Sequence, residues 1–227
     1  MSLSDTLIVI PAYNEQQTLA GVLNQLAEKG YDEVLVVDDH STDSTAELAR
    51  QHGARVISLC INIGAWGAMQ AGVRYALQKG YSAVITMDAD GQHLPETLKQ
   101  LLEQQQQADV VIGRCVERAS PARRLAWRYF RWLANLPVED LTSGLRLYNE
   151  EAMQLIASRE ASLLDYQDVG LLVLLRNHGA TFFEVDVPMN TREHGESRIF
   201  SSWWRVFSYM ATTSIICLSK LLGGNKR

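Results

Sequence analysis

A chain of 227 residues suits one large domain, or one domain with an appendage, and is long enough to bury a sizeable core. Its 47% hydrophobic and 21% charged residues are ordinary for a globular protein, and a net charge of -5 argues against general nucleic-acid binding. Cys60, Cys115 and Cys217 are widely spaced without a CxxC pair, which argues against a zinc site or a disulfide framework and suits a reducing, cytoplasmic setting.

The N-terminus enters a strand at once, with no basic segment leading into an apolar run, so no signal peptide is expected. Thr6 to Pro11 is a β-branched run ending at proline, hence a strand, and Ala12-Tyr13-Asn14-Glu15 is its loop. Leu19, Val22, Leu23 and Leu26 recur at helical spacing, and Gly30 stops that helix. Glu33 to Val37 is a second strand running into Asp38-Asp39-His40-Ser41-Thr42-Asp43. A helix over Ser44 to Gln51 follows, then a third strand over Arg55 to Leu59. Asn62-Ile63-Gly64-Ala65-Trp66-Gly67 is a turn opening a helix that runs to Gly80. Ala83 to Thr86 reads as a buried strand, Leu98 to Gln106 as a helix, and Asp109 to Gly113 as a fifth strand. Strands alternating with helices imply an α/β fold, with right-handed βαβ units and a mostly parallel sheet covered on both faces.

After Gly113 the alternation lapses. Residues 114–138 are rich in arginine and aromatics, with Arg124, Arg128 and Arg131 on one helical face. Ser143 to Tyr148 reads as a further strand, Glu150 to Ala157 as a helix, Asp165 to His178 as an apolar helix and Thr181 to Val187 as a strand. A polar loop over 191–198 precedes an apolar, aromatic-rich C-terminal stretch. In that stretch Arg205 and Lys220 bracket a run shorter than the about 20 residues a spanning helix needs. The expected organisation is one α/β domain over 1–200 and an amphipathic helix over 201–227. That helix either lies at a membrane interface or packs on protein.

Chemistry concentrates at Met87-Asp88-Ala89-Asp90-Gly91-Gln92-His93, where the fourth strand ends. In open α/β sheets ligands sit outside the carboxyl ends of the strands. Two carboxylates one residue apart repel unless a cation lies between them. A hard divalent ion that also takes substrate phosphate oxygens needs only one or two protein carboxylates, and Gln92 can add a neutral oxygen. The alternative is a polar turn capping the next helix, with Pro95 near its first position.

Four strand ends carry polar signatures in one order: Ile10-Pro11-Ala12-Tyr13-Asn14-Glu15, Val36 through Asp43, Asn62-Ile63-Gly64, and Asp88 through His93. This set resembles the family 2 inverting glycosyltransferases, which have the GT-A fold. Thr142-Ser143-Gly144-Leu145-Arg146 after Asp140, and Arg192 with Gly195-Glu196-Ser197-Arg198, are similar to the branch of dolichyl-phosphate mannose synthase and bacterial polyprenyl-phosphate glycosyltransferases. The resemblance implies a UDP- or GDP-linked sugar donor, a polyprenyl (dolichyl or undecaprenyl) phosphate acceptor and peripheral contact with the cytoplasmic face of a membrane. A soluble family 2 enzyme acting on a saccharide or protein hydroxyl is the alternative.

The resemblance assigns the residues as follows. Pro11, Ala12 and Tyr13 flank the base and Glu15 reaches the ribose. Asp39 accepts from the base edge, a role suited to an acceptor-only carboxylate, unless it serves as a charge at a helix N-terminus. Asn62 and Gly64 approach the donor closely, and Trp66 nearby is either a donor contact or plain packing. Asp88, Asp90 and Gln92 hold Mg2+ or Mn2+, while His93 is expected to be a polar loop residue. Arg192, Ser197 and Arg198 close over the donor phosphates. Asp140 is a base or orients the acceptor, with a helix or turn cap as the alternative, and Asp140, Asp90 and Arg198 are the expected catalytic residues. Arg114, Arg124 and Arg128 meet the acceptor phosphate through planar guanidinium forks; a solvated basic face is the other reading. A dinucleotide oxidoreductase would need G-x-G-x-x-G after the first strand, and a P-loop enzyme its own glycine-lysine signature; neither occurs. The intact Asp88, Asp90, Asp140 and Arg198 argue against an inactive sugar-nucleotide-binding protein.

Overall fold

The computed structural model describes residues 5–115, 121–164 and 168–190 and, for 121–123, the backbone alone. Strand β1 (Thr6–Ala12) is buried at every position, as a strand covered on both faces must be. Helix α1 (Leu19–Glu28) buries Leu19, Val22, Leu23 and Leu26, the four residues whose spacing predicts it. Then come β2 (Val34–Asp38), α2 (Thr45–Gln51), β3 (Arg55–Ser58), α3 (Gly64–Lys79) and β4 (Ala83–Thr86). A single 3-10 turn over Pro95–Thr97 leads into α4 (Leu98–Glu103), followed by β5 (Val110–Arg114). The second half supplies α5 (Pro121–Ala134), β6 (Arg146–Asn149), α6 (Glu150–Ile156), α7 (Val169–Asn177) and β7 (Phe182–Asp186).

The sheet order is β3-β2-β1-β4-β6-β5-β7. All pairings are parallel except those of β6, which runs against both β4 and β5. Period-2 alternation divides the core. Leu7, Val9, Leu35, Val37, Val84 and Val110 face α3, α5, α6 and α7. Ile8, Ile10, Val36, Ile85 and Val111 face α1, α2 and α4. The chain grows outward from β1 first through β2 and β3, then on the other side through β4, so a crevice opens at the carboxyl ends of β1, β2 and β4. Because β6 is antiparallel, the loop that enters it lies at this same end.

Three boundaries differ from expectation by more than one residue. The helix expected over 98–106 ends at Glu103, since its buried anchors are Leu98 and Leu101 and the glutamines beyond supply no apolar side chain. The strand expected from Ser143 begins at Arg146, and Ser143 to Leu145 forms a loop instead. The helix expected from Asp165 begins at Val169, where the Asp168 carboxylate accepts from Gly170 N at 3.4 Å. The expected C-terminal helix over 201–227 lies outside the described residues.

Candidate active site

The loops after β1 and β2 are laced together by side chains. Asn14 Oδ1 accepts from Thr42 N at 2.8 Å, and Asn14 N donates to Ser41 Oγ at 2.9 Å. Glu15 N donates to Thr45 Oγ1 at 2.8 Å, and Ser44 N to Gln16 Oε1 at 3.1 Å. Asn14 and His40 hold left-handed backbones, at φ 56° and 64°. Such residues persist where surroundings over-determine them, and they cluster at ligand sites. Pro11 and Ala12 are buried at the end of β1, while Tyr13 and Glu15 are half-exposed beside them.

Asp39 is 2% exposed, and its two oxygens accept from Ile63 N at 2.8 Å and Gly64 N at 2.9 Å. Both oxygens therefore engage main-chain N–H groups at the N-terminus of α3, a helix later in the chain than the one that follows β2. Asn62 completes the unit by donating to Asp39 O at 3.0 Å. Gly64 is required by its φ of +83°, not by closeness, since a Cβ there would meet nothing within 4 Å. Trp66 is plain packing: it is buried and donates to Ala161 O at 3.0 Å.

The acidic motif turns tightly off β4. Asp90 Oδ1 accepts from Gln92 N at 3.1 Å. Gln92 O accepts from Asn190 N at 2.9 Å and His93 bridges to Met189, so the turn is pinned to the chain that leaves β7. His93, expected as a polar loop residue, is 2% exposed and lies 3.1 Å through Nε2 from Asp88 Oδ2. On the other side Asp88 meets Gly144, whose hypothetical Cβ would stand 2.5 Å from Asp88 Oδ2. Thr86 Oγ1 donates to Gly144 O at 2.8 Å and fixes that approach. Among the described residues no group of three or more His, Cys, Asp and Glu is arranged to hold a metal. By donor chemistry alone, the oxygens of Asp88, Asp90 and Gln92 suit a hard ion that completes its shell with water or phosphate oxygens, and do not suit zinc.

Asp140 stands on the other wall of the same end. It is 5% exposed, with Oδ2 accepting from Cys115 N at 3.2 Å and Oδ1 from Thr142 N at 3.0 Å. Ser143 Oγ ties the following loop to Gly113 O. Asp88 and the Asp140 loop are therefore brought together from sequence positions far apart, across Gly144.

Arg114, expected at the acceptor phosphate, is already occupied. Its Nε and Nη2 donate to Asp186 at 2.5 and 3.0 Å, and its Nη1 to Glu139 at 2.7 Å. The hydrogen bond to Asp186 raises the Arg114 pKa further and lowers that of Asp186. Arg124 and Arg128 lie on the exposed face of α5, between Leu125, Tyr129 and Trp132, which are 69%, 40% and 79% exposed. Trp127 and Phe130 bury the opposite face. Arg192, Ser197 and Arg198 lie outside the described residues.

Sequence reasoning missed His93 against Asp88 and missed Glu184, whose carboxylate holds the main chain at Asp140. The Glu184–Asp186 alternation in an apolar strand was the available signal, since acids two residues apart share one face of a strand and a half-buried one calls for partners.

The sequence pattern of glycosyl transferase family 2 matches residues 7–158. An undecaprenyl-phosphate mannosyltransferase of Micrococcus luteus is 32% identical over 85% of this chain and 86% of its own. A polyprenol monophosphomannose synthase of Mycolicibacterium smegmatis is 31% identical over 87% and 82%. Among solved structures, glucosyl-3-phosphoglycerate synthase of Mycobacterium tuberculosis in complex with UDP superposes with a TM-score of 0.71, at 19% identity, over 95% of this chain and 79% of that one. The same enzyme with Mn2+, UDP-glucose and phosphoglyceric acid gives 0.68 at 20% identity, over 96% and 79%. The fold is thus that of GT-A glycosyltransferases.

Proposed function

The chain belongs to glycosyl transferase family 2, and from that premise we propose that it moves a sugar from a UDP- or GDP-linked donor to a polyprenyl phosphate, with inversion. One observation carries the reading: Asp88 and the Asp140 loop meet across Gly144 at the crevice where the β1 and β2 loops also converge. Likeness to two lipid-phosphate mannosyl enzymes across most of the chain supports the acceptor class.

The loops bearing Tyr13, Glu15 and Asp39 hold the nucleotide. An acceptor phosphate oxygen attacks the anomeric carbon on the face opposite the nucleotide. A carbon–oxygen bond to the acceptor forms, and the bond to the diphosphate oxygen breaks with its electron pair, leaving a nucleoside diphosphate. Asp88, Asp90 and Gln92 would hold Mg2+ or Mn2+, which when bound offsets charge on that leaving group. A phosphate monoester, with its second pKa at about 6, is mostly dianionic at pH 7 and has no proton to lose. Asp140, its oxygens held by two main-chain N–H groups, then orients the acceptor.

Asp140→Asn tests this. It keeps the shape, so kcat should fall only about tenfold, below the about 10²–10⁴-fold typical of general-base help. A loss above about a thousandfold with donor affinity intact would identify a base and a hydroxyl acceptor instead.

The exposed face of α5 supports peripheral membrane binding: arginines beside exposed aromatic and leucine side chains suit an anionic surface. No helix among the described residues is long and apolar enough to cross a membrane. Replacing Arg124 and Arg128 by glutamine should weaken binding to anionic vesicles by about 2 kcal/mol, or about thirtyfold, at about 1 kcal/mol per arginine. Added salt should weaken wild-type binding through screening. Equal sedimentation with neutral and anionic vesicles would sink this assignment.

A further inference from the structure

Residues 139 and 140 cross the edge of the sheet without joining any ladder, so their N–H groups need another acceptor. Glu184 of β7 supplies it. Its Oε1 accepts from Glu139 N at 2.9 Å and from Asp140 N at 2.9 Å, and its Oε2 lies 2.8 Å from Glu139 N. The Glu184 side chain is 12% exposed. Arg114 stands 4.0 Å from it and grips Glu139 on one side and Asp186 on the other. Cys115, the next residue, donates to the Asp140 carboxylate itself. The ends of β5 and β7 thus hold the Asp140 segment at three points: side chain of 139, main chain of 139–140, and side chain of 140.

We propose that Glu184 is a positioning residue for Asp140, acting on sugar transfer only through the place it gives that carboxylate. The inference rests on the reading that Asp140 orients the acceptor. Two successive N–H groups aimed at one carboxylate make a small anion site, occupied here by the protein's own side chain. A glutamate is an exacting choice. Burial pushes its carboxyl above the usual range, and the N–H groups of Asp140 and Glu139, with Arg114, only partly offset this. A surface residue selected for solubility alone would not be held in this way. The charged groups around it are Arg114 on β5, Glu139 and Asp140 on the crossing segment and Asp186 on its own strand.

A double-mutant cycle in the full chain tests this. Glu184→Met keeps the length and packing but removes both acceptor oxygens. Alone it should lower kcat by about five- to tenfold and leave donor KM within about twofold; in the Asp140→Asn background it should cost under about twofold more, because the residue it positions is already disabled. Glu184→Gln keeps one acceptor oxygen and should recover most of the lost rate. Circular dichroism and melting temperature identify variants that do not fold; should Glu184→Met be one, Glu184→Ala against Asp140→Asn gives the same cycle, again with a smaller effect in the second background. Equal losses in both backgrounds, or a Glu184→Met enzyme with wild-type kcat, would overturn the proposal. A harmless Asp140→Asn would overturn it too, and would sink the reading of Asp140 with it. A costly Asp140→Asn beside a harmless Glu184→Met sinks the role of Glu184 alone.

Discussion

Asp90→Ala is expected to lower sugar transfer by at least about 10²–10³-fold while the protein stays folded. Asp90 sits in the turn after β4, half-exposed, and its Oδ1 accepts from Gln92 N two residues on, at 3.1 Å. Removing it takes away little packing, so the cost to stability should be modest. The cost to chemistry is larger, because one of two carboxylates able to hold a divalent ion is lost. Charge stabilisation by such an ion is worth several kcal/mol, and each 1.4 kcal/mol or so is a factor of ten. The measurement pairs kcat with Mn2+ binding in the presence of a nucleoside diphosphate, followed by calorimetry. Wild-type turnover in excess chelator, or normal turnover by the variant, would show that the assignment of the acidic motif is wrong.

Gly144→Ala should be nearly as damaging, although it adds a single methyl group. No left-handed φ demands glycine at 144; the demand is for room. A Cβ would lie 2.5 Å from Asp88 Oδ2, 2.8 Å from Oδ1 and 2.9 Å from Cγ. Swinging the carboxylate aside takes Oδ2 away from the buried His93 ring, whose Nε2 lies 3.1 Å from it. Gly144 cannot back away, since its carbonyl is bound by Thr86. Overpacking of this kind costs about 1–3 kcal/mol of stability. A misplacement of about 1 Å at a reacting group costs about 10²-fold in rate, and that is the expected loss. In an Asp88→Ala background the same substitution should cost little more. Wild-type turnover by Gly144→Ala would show that the position of Asp88 is unimportant.

The first five strands and their helices were legible because each carries its own periodicity and punctuation. Leu19, Val22, Leu23 and Leu26 mark a helix wherever they occur. Strand ends bearing Asp39, Asp88 and Asp90 were legible for the same reason. The direction of β6 was not, because Arg146–Asn149 reads alike whether its neighbours run with it or against it. That direction is what carries Asp140 and Gly144 to Asp88. Arg114 looked available because its partners Glu139, Glu184 and Asp186 lie far along the chain. His93 looked ordinary because nothing in its own segment foretells that the chain at Met189 and Asn190 covers it.

The lacing of the first two loops through Asn14, Gln16, Thr42 and Thr45 has a consequence for recognition. Their conformational entropy is lost when the chain folds, not when a ligand arrives. On the proposed function, a nucleotide entering between them meets a surface already in its final shape. Association there needs little loop ordering, and selectivity among bases falls to fixed positions whose geometry cannot adapt to a wrong partner.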